Sequence, residues 1–285
     1  MMIHRRALMV AVPSLIAGAA FADAMAPALE AQERAIGGRI GLYAENVRTG
    51  ATLAWRANER FTMCSTFKLS LAACILARVD RGEDGLERTV TFTQADILEY
   101  APAAKANLAH GRMSVGELCE AAVELSDNTC ANLLLARIGG PAALTAFWRA
   151  TGDAVTRLDE NEPMLNRTRP PDLRNTTTPA AMAGNLHRFV LGRVLSPASR
   201  ALLIGWMRAC KTGTQMLRAG LPAGWITGDK TGSNGADILG DIAVAWLKPG
   251  QPLVISLYTE GGRAGQPELQ KRFAEIGTII GRQFS

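Results

Sequence analysis

The sequence predicts an α+β fold, in which both ends of the chain contribute to one β-sheet and the middle forms a lobe of helices. Near the N-terminus, 39–44 and 51–55 have strand composition and flank a turn that contains Gly50. Three further strand-like segments lie between residues 224 and 258. Helical patterns dominate from Ser65 to about residue 210. Strands separated in this way from a block of helices are typical of α+β proteins.

The first 22 residues have the pattern of a secretory signal peptide. Arg5 and Arg6 precede a mostly apolar run that ends at Phe21, and Ala20-Phe21-Ala22 fits a cleavage site. The run is short for a bilayer span, so no stable membrane anchor is expected. The paired arginines leave two export routes open, the general secretory and the twin-arginine route. We therefore expect a periplasmic or secreted protein after cleavage near Ala22.

Composition and charge argue against several classes of function. The formal net charge is +5, and the basic residues are scattered, so nucleic acid is not an expected partner. Five cysteines, an odd number without C-x-x-C spacing, predict neither a zinc site nor a disulfide framework. His110 and His187 lie in no metal-binding motif, and no phosphate-binding glycine loop or G-x-S-x-G motif occurs. We therefore expect neither a metal nor a cofactor.

Caps and prolines mark the helix boundaries in the middle of the chain. Ser114 and Glu117 form the pattern of a capping box, which opens a helix carrying 118–125. The next apolar helix, 128–138, ends at Gly139-Gly140. Three more helices are expected to start at first-turn prolines, namely Pro141, Pro179 and Pro197.

The helix predicted to begin near Ser65 carries a candidate nucleophile. Ser65 and Lys68 are three residues apart and would share one helix face. A serine hydroxyl needs a base to take its proton, and a lysine excluded from water can lose its charge and serve as that base. Unpaired N–H groups in the first helical turn can stabilise an oxyanion. On this spacing alone, the commoner interpretation is that Ser65 only caps the helix while Lys68 points to solvent.

Three later motifs follow this serine in order. Ser126-Asp127-Asn128 lies between two helices, Lys230-Thr231-Gly232 lies in a predicted strand, and Glu162-Pro163-Met164-Leu165-Asn166 stands between these two motifs. S-x-x-K, S-D-N and K-T-G occur together in class A β-lactamases and penicillin-binding proteins. With the E-P-x-L-N segment added, the chain after about residue 23 resembles a class A β-lactamase. A second K-T-G, Lys211-Thr212-Gly213, follows a helix and is not taken as the site motif.

The resemblance implies a five-stranded antiparallel sheet beside an all-α lobe, with the active site between them. An α/β lobe would then comprise 23–60 and 211–285, and the all-α lobe 61–210. The latter includes the Ω-loop, residues 157–175, with a cis bond before Pro163. The family also implies a monomer without cofactor that hydrolyses penicillins and cephalosporins and confers antibiotic resistance.

The resemblance also implies a role for each matching residue. Ser65 would attack the β-lactam carbonyl, and the N–H groups of Ser65 and Ser233 would form the oxyanion hole. Lys68 and Glu162 remain alternatives for the acylation base, whereas Glu162 would activate the water for deacylation. Ser126 would relay a proton to the departing nitrogen. The implied substrate-binding residues are Tyr100, Asn128, Asn166, Lys230, Thr231, Gly232 and Ser233.

Several positions depart from the family pattern. Leu239 stands where many members have an arginine, so a second cation for the substrate carboxylate is missing. Asn234 replaces the usual disulfide partner of Cys64. Glu160 and Asn175 replace an arginine–aspartate pair at the neck of the Ω-loop, so we expect a more mobile loop. The candidates for the missing cation are Arg263, Lys271 and Arg272.

Two other functions share much of this chemistry. A D-alanyl-D-alanine peptidase, or penicillin-binding protein, would use the same serine and lysine motifs. A β-lactam sensor would acylate and remain acylated. Glu162 and Asn166 favour hydrolysis over both, because each alternative lacks a dedicated base for deacylation.

Overall fold

The computed structural model describes residues 14–285, with side chains described from Met25 onward. Most of the predicted signal peptide, residues 1–13, lies outside the described residues. Its remainder belongs to the first helix, which runs from Ser14 to Ile36 without a break at Ala22.

Ten α-helices and nine strands lie within the described part of the chain. The helices are α1 Ser14–Ile36, α2 Phe67–Asp80, α3 Pro102–Ala106, α4 Val115–Glu124, α5 Asn128–Ile138, α6 Pro141–Ala150, α7 Pro179–Val190, α8 Pro197–Ala209, α9 Leu217–Gly220 and α10 Gln266–Phe284. The strands are β1 Arg39–Asn46, β2 Thr52–Trp55, β3 Phe61–Thr62, β4 Thr89–Thr91, β5 Arg112–Ser114, β6 Thr176–Thr177, β7 Ile226–Ser233, β8 Leu239–Trp246 and β9 Pro252–Glu260.

The main sheet has five antiparallel strands in the order β2-β1-β9-β8-β7. N-terminal and C-terminal segments meet where β1 pairs with β9 along its whole length, with Arg39 opposite Glu260. The strand with the K-T-G motif, β7, lies at one edge and pairs only with β8 in this sheet. The predicted α+β fold with a five-stranded antiparallel sheet is confirmed, and the edge position leaves backbone groups of β7 available to a ligand.

Alternating side chains of the sheet contribute to two apolar cores. In β8, Ile242 and Val244 pack with the helical core, whereas Ala243 and Ala245 pack with α1 and α10. This two-residue period is the usual consequence of strand geometry. Lys230 lies opposite Ile242 and Asp229 opposite Ala243, so the two charged residues face opposite cores.

Helix α2 is the centre of the helical core. Its residues from Phe67 to Ala77 are all buried. A helix surrounded by protein on every side needs no polar face, which explains its nearly continuous apolar sequence. Because α2 lies at the centre of this core, Lys68 in its first turn and Ser65 just before it lie inside the molecule rather than at its surface.

Local signals place the boundaries of most helices correctly. The capping box of Ser114 and Glu117 is formed, and Thr178 and Ser196 cap α7 and α8. Gly139, with a φ of +100°, ends α5 in the left-handed conformation that favours glycine. The sequence patterns did not predict the two small sheets, β3–β6 and β4–β5, whose strands are only two or three residues long.

Among the described residues, no single helix combines the length and hydropathy that a bilayer span requires. One bent pair, α5 with α6, meets the criterion only when both helices are taken together across a 70° bend.

Candidate active site

The candidate nucleophile, Ser65, lies in a short 3₁₀ turn rather than in the regular α-helix predicted there. Residues Cys64–Thr66 form this turn and α2 follows from Phe67. Cys64 has a φ of +43°, an uncommon conformation for a residue with a side chain. On the opposite side lies Gly232 of β7, where an added Cβ would stand 3.0 Å from the Ser65 nitrogen and 2.7 Å from the Met63 oxygen. The K-T-G strand therefore needs glycine to approach the nucleophile this closely.

Lys68 is fully buried and turned towards the nucleophile. Its Nζ donates to Ser65 Oγ at 2.9 Å, to the Ser126 carbonyl at 2.8 Å and to Asn128 Oδ1 at 2.5 Å. A buried ammonium is costly unless it is hydrogen-bonded, and these acceptors meet that need. The structure thus excludes the alternative in which Lys68 points to solvent.

Glu162 reaches the same oxygen from the Ω-loop. Ser65 Oγ donates to Glu162 Oε1 at 3.1 Å, and Lys68 Nζ lies 3.1 Å from that oxygen. Asn166 Nδ2 donates to the second carboxylate oxygen at 2.6 Å. The Glu162–Pro163 bond is cis, as predicted.

The backbone of Glu162 is held by a residue that the motifs did not predict. Asn132 on α5 accepts from the Glu162 N–H at 3.0 Å and donates to the Glu162 carbonyl at 2.9 Å. Asn132 stands four residues after Asn128, so both lie on one face of α5, as the helical period requires. This spacing was the only sequence signal for it.

The three residues of the S-D-N motif make different contacts: Ser126 and Asn128 contact Lys68, whereas Asp127 contacts backbone N–H groups. Ser126 has a φ of +59°, and this backbone conformation presents both its carbonyl and its hydroxyl to the site. Asp127 caps α5 through the Cys130 N–H and also accepts from two N–H groups of α3. The carboxylate of the motif is therefore structural and fixes the position of Ser126 and Asn128.

Lys230 is the second fully buried lysine of the site. Its Nζ donates to Ser126 Oγ at 3.0 Å and to the Thr231 carbonyl at 2.7 Å. Burial, with a smaller contribution from the positive charge of Lys68, lowers the pKa of Lys230 to about 8. Ser126 thus links the two lysines, since Lys68 Nζ lies 3.5 Å from the same hydroxyl oxygen.

A cavity of about 840 Å³ lies beside these groups. Tyr100 stands half-exposed at its edge, and Ser65, Ser126 and Asn128 form part of its wall. The other predicted residues with a place in this wall are Asn166, Thr231, Gly232 and Ser233. Glu162, Lys68 and Lys230 lie buried behind the wall and reach it through their hydrogen bonds.

No arginine occupies the position of the missing second cation. Leu239 lines the cavity, whereas the candidates Arg263, Lys271 and Arg272 do not belong to its described wall. Two polar residues, Thr212 and Gln266, line the cavity and contact hydroxyl groups of the K-T-G strand. Thr212 Oγ1 lies 2.5 Å from Thr231 Oγ1, and Gln266 Oε1 accepts from the Ser233 hydroxyl at 2.8 Å. The rejected second K-T-G thus supplies a cavity residue, Thr212, although it lies outside the strand.

The neck of the Ω-loop is closed by an amide rather than by an arginine–aspartate pair. Asn175 is fully buried, and its Nδ2 donates to Glu160 Oε2 at 2.8 Å and to Thr168 Oγ1 at 2.9 Å. Its Oδ1 accepts from the N–H groups of Asp159 and Glu160. Arg174 adds an ion pair with Glu160 at 3.1 Å. The greater loop mobility that we expect from the sequence stays a prediction.

All five cysteines are buried and free. Cys64, next to the nucleophile, has no disulfide, in agreement with Asn234 at the partner position. Burial raises the pKa of the Cys74 thiol to about 11, which makes it a poor nucleophile at neutral pH.

This arrangement suits nucleophilic catalysis by a serine. Two basic groups, Lys68 and Glu162, contact Ser65 Oγ, and a second hydroxyl on Ser126 lies between two lysines. A nucleophile with an adjacent base, itself oriented by a third group, is the general signature of covalent catalysis.

Known proteins share both the sequence and the fold. The β-lactamase enzyme family model matches residues 22–284. An ancestral class A β-lactamase is 49% identical, with a TM-score of 0.88, and the match covers 91% of this chain and 100% of the other. The class A β-lactamase of the last common ancestor of Gram-negative bacteria is 47% identical, with a TM-score of 0.89 and coverage of 92% and 100%. PenP from Rhodopseudomonas palustris, assigned to class A, is 45% identical with a TM-score of 0.89 and the same coverage.

Proposed function

The chain belongs to the β-lactamase enzyme family as a class A serine β-lactamase, and we propose that the residues around Ser65 carry out its reaction. The enzyme hydrolyses the β-lactam ring of penicillins and cephalosporins. One observation carries the assignment of roles: Glu162 Oε1 lies 3.1 Å from both Ser65 Oγ and Lys68 Nζ. A carboxylate in this position can serve the nucleophile and, after acylation, a water molecule.

In the acylation step, Ser65 Oγ attacks the β-lactam carbonyl and loses its proton to Lys68 or Glu162. Both bases are within hydrogen-bond reach of that oxygen, which is the geometric requirement for general-base catalysis. The Ser65 and Ser233 N–H groups would bind the oxyanion that forms. Gly232 supports this role, because it lets β7 lie directly against the Ser65 turn.

The opening of the ring leaves a negative charge on the lactam nitrogen, which needs a proton. Ser126 is suited to deliver it, because its hydroxyl accepts from Lys230 Nζ and lies next to Lys68 Nζ. A proton that leaves Ser65 can then return to the nitrogen through Lys68 and Ser126. In this relay Lys68 carries the proton, whereas Lys230 orients the Ser126 hydroxyl.

Substrate binding would use the polar wall of the cavity. Lys230, Thr231 and Ser233 provide a cation and hydroxyl groups for the carboxylate of the substrate, with Thr212 beside them. At the other side of Ser65, Asn128 would hold the amide of the substrate side chain. Tyr100 would pack at the entrance.

In the deacylation step, a water molecule attacks the Ser65 ester. Glu162 would take its proton, and Asn166 would orient the water, since its amide already contacts Glu162 Oε2. A base fixed in this way favours turnover over the two alternatives, a D-alanyl-D-alanine peptidase and a non-turnover sensor.

We also propose where the protein acts and how it is divided. The apolar N-terminal run supports export, so that the mature protein would meet β-lactams as a monomer in the periplasm or outside the cell. The two apolar cores support an α/β lobe of 23–60 and 211–285 and an all-α lobe of 61–210. Resistance to β-lactam antibiotics is the expected biological consequence.

A chromogenic cephalosporin provides the direct test. The wild-type enzyme should turn over many equivalents, and mass spectrometry of the Ser65→Ala variant should show no covalent adduct. Ser70 on α2 is a buried serine outside the cavity wall and offers a matched control, because Ser70→Ala removes a hydroxyl of the same helix. Turnover by Ser65→Ala near the wild-type rate would refute the role of Ser65.

A further inference from the structure

The first residue of α10, Gln266, forms three hydrogen bonds with the segment that joins β7 to β8. Its Oε1 contacts the Ser233 hydroxyl at 2.8 Å, and its Nε2 contacts the carbonyl oxygens of Ala236 at 2.8 Å and Ile238 at 3.4 Å. Gln266 and Ser233 both line the cavity. One side chain of α10 therefore contacts both the turn and a proposed ligand of the substrate carboxylate.

The orientation of the Gln266 amide is determined by its partners. A backbone carbonyl oxygen can only accept, so the end of the amide that faces Ala236 and Ile238 must be the NH₂ group with its two donors. The amide oxygen then faces Ser233, and this oxygen can also only accept. The Ser233 hydroxyl must therefore be the donor in its contact with Gln266.

This contact leaves the Ser233 hydroxyl without a proton for the substrate. A hydroxyl group has one donor and two acceptor sites. The proton of Ser233 is donated to Gln266, and the oxygen accepts from the Gly235 N–H at 2.9 Å. The remaining site is a lone pair, which cannot bind a carboxylate. Ser233 can donate to the substrate carboxylate only after it releases Gln266.

The neighbouring hydroxyl of Thr231 differs in this respect. Thr231 Oγ1 lies 2.5 Å from Thr212 Oγ1, which in turn lies 3.4 Å from Cys210 Sγ. Burial raises the pKa of the Cys210 thiol, so this group keeps its proton at neutral pH. When Cys210 donates to Thr212 and Thr212 donates to Thr231, the proton of Thr231 stays free. Thr231 can thus donate to an anion without the loss of a hydrogen bond.

We propose that Gln266 determines substrate affinity by competing with the substrate carboxylate for the proton of the Ser233 hydroxyl. This inference rests on the proposed function, in which Ser233 and Lys230 receive that carboxylate. When substrate binds, Ser233 exchanges one acceptor for another, and the amide oxygen of Gln266 loses its partner. The lost hydrogen bond offsets much of the free energy of the new one. Gln266 is therefore a positioning residue that acts through Ser233.

Gln266→Met tests the competition, because it keeps an unbranched side chain and removes the acceptor. The Ser233 hydroxyl should then be free to donate to the carboxylate, so KM for a penicillin should fall about fivefold, the factor expected from one neutral hydrogen bond. The value of kcat should stay within about twofold. A purely structural role predicts the opposite result, since a looser turn would misplace the Ser233 N–H in the oxyanion hole and lower kcat without lowering KM.

A double variant shows whether the effect passes through Ser233. In the Ser233→Ala background there is no hydroxyl to release, so the further change Gln266→Met should leave KM unchanged. Gln283→Met makes the same substitution in α10 outside the described cavity wall, and should leave both KM and kcat at their wild-type values. Gln266→Leu also lacks an acceptor and serves if Gln266→Met fails to fold.

An unchanged or higher KM in folded Gln266→Met or Gln266→Leu would overturn the role of Gln266, provided that the wild type hydrolyses the penicillin. An equal fall of KM in the Ser233→Ala background would overturn it as well. If the wild type does not hydrolyse the penicillin, the proposed function fails instead, so the two failures are distinguishable.

Discussion

Two ion pairs of almost equal length lie beside the same cavity but differ in their exposure to water. Lys68 and Glu162 lie 3.1 Å apart with both side chains 0% exposed. Arg169 and Asp237 lie 3.0 Å apart but are 46% and 25% exposed. The attraction between two charges depends on the dielectric around them, so distance alone says little about what a pair contributes.

The surroundings decide what each pair is suited to do. Around the buried pair, hydroxyl and amide groups satisfy each charge, and removal of one partner would leave the other unpaired in a dry site. Around the exposed pair, water can replace either partner. The buried pair is therefore suited to proton transfer, whereas the exposed pair contributes little free energy. The variants below compare buried with exposed groups, from the largest expected effect to the smallest.

Removal of the buried carboxylate should have the largest effect. In Glu162→Ala the water that attacks the Ser65 ester loses its base, so turnover should fall by about 10² to 10⁴. If Lys68 can serve in acylation, a burst near one equivalent and a Ser65 adduct in mass spectrometry should remain. Glu87→Ala, which removes an exposed carboxylate, is the matched control. Near wild-type turnover in folded Glu162→Ala would show that the buried pair is not catalytic.

The pH dependence of Lys230 should give the next largest effect. Burial lowers its pKa to about 8, so the ammonium that binds the substrate carboxylate is present below pH 8 and is lost above it. KM for penicillins should therefore rise on the alkaline side. Lys230→Arg keeps its charge at every accessible pH, so this rise should vanish in that variant. A similar alkaline rise in both proteins would point to another group.

The lowered pKa of Lys230 also affects the free energy of unfolding, which changes with pH in the opposite direction to substrate affinity. Between pH 8 and the ordinary lysine pKa of 10.5, the unfolded state binds more protons than the folded state. The contribution of Lys230 to the free energy of unfolding should therefore rise with pH in this window, while substrate affinity falls. Urea unfolding of wild type and Lys230→Arg across the window measures this difference.

A third prediction concerns a buried carboxyl group outside the described cavity wall. Asp241 of β8 is fully buried, its Oδ1 has no partner among the described residues, and burial together with the charge of Asp229 raises its pKa far above the ordinary 3.8. Below pH 3.8 the carboxyl is protonated in both states; above it only the unfolded state releases the proton, so stability falls as pH rises. Asp241→Asn should remove this fall and stabilise the protein at neutral pH by about 1–3 kcal/mol.

Thermal unfolding at pH 4 and pH 7 measures this effect, since the gain should be larger at pH 7. Asp229→Asn provides the contrast. It would leave Arg218 without its carboxylate partner, so we expect it to destabilise the protein. An equal rise in stability in both variants would argue that the burial of each carboxyl group matters and that the ion pair of Asp229 with Arg218 does not.

The smallest effect is expected at the neck of the Ω-loop. Arg174→Gln removes the exposed ion pairs of Arg174 with Glu160 and Asp172, and should change the free energy of unfolding little because water screens both pairs. Asn175→Ala removes the buried amide and its several hydrogen bonds, and should cost about 1–3 kcal/mol. Hydrogen exchange of residues 157–175 should rise clearly only in Asn175→Ala. Equal exchange in both variants would contradict the distinction between buried and exposed contacts.

The sequence by itself determined the features that local rules control. Strand-like composition identified the strands of the sheet, and the capping box at Ser114 and the first-turn prolines Pro179 and Pro197 identified helix starts. The residue types and order of the motifs predicted Ser65, Lys68, Ser126 and Glu162 as one site, and the structure joins these four side chains through contacts of hydrogen-bond length.

Tertiary structure decided the features that depend on contacts between distant segments. Asn132 holds Glu162 from 30 positions away, and Thr212 reaches Thr231 from 19 positions away. Asn175 closes the neck by hydrogen bonds where the sequence suggested only the loss of an ion pair. The physical reason is that periodicity and capping act within a few residues, whereas burial and hydrogen-bond satisfaction are set by whichever segments the complete fold brings together.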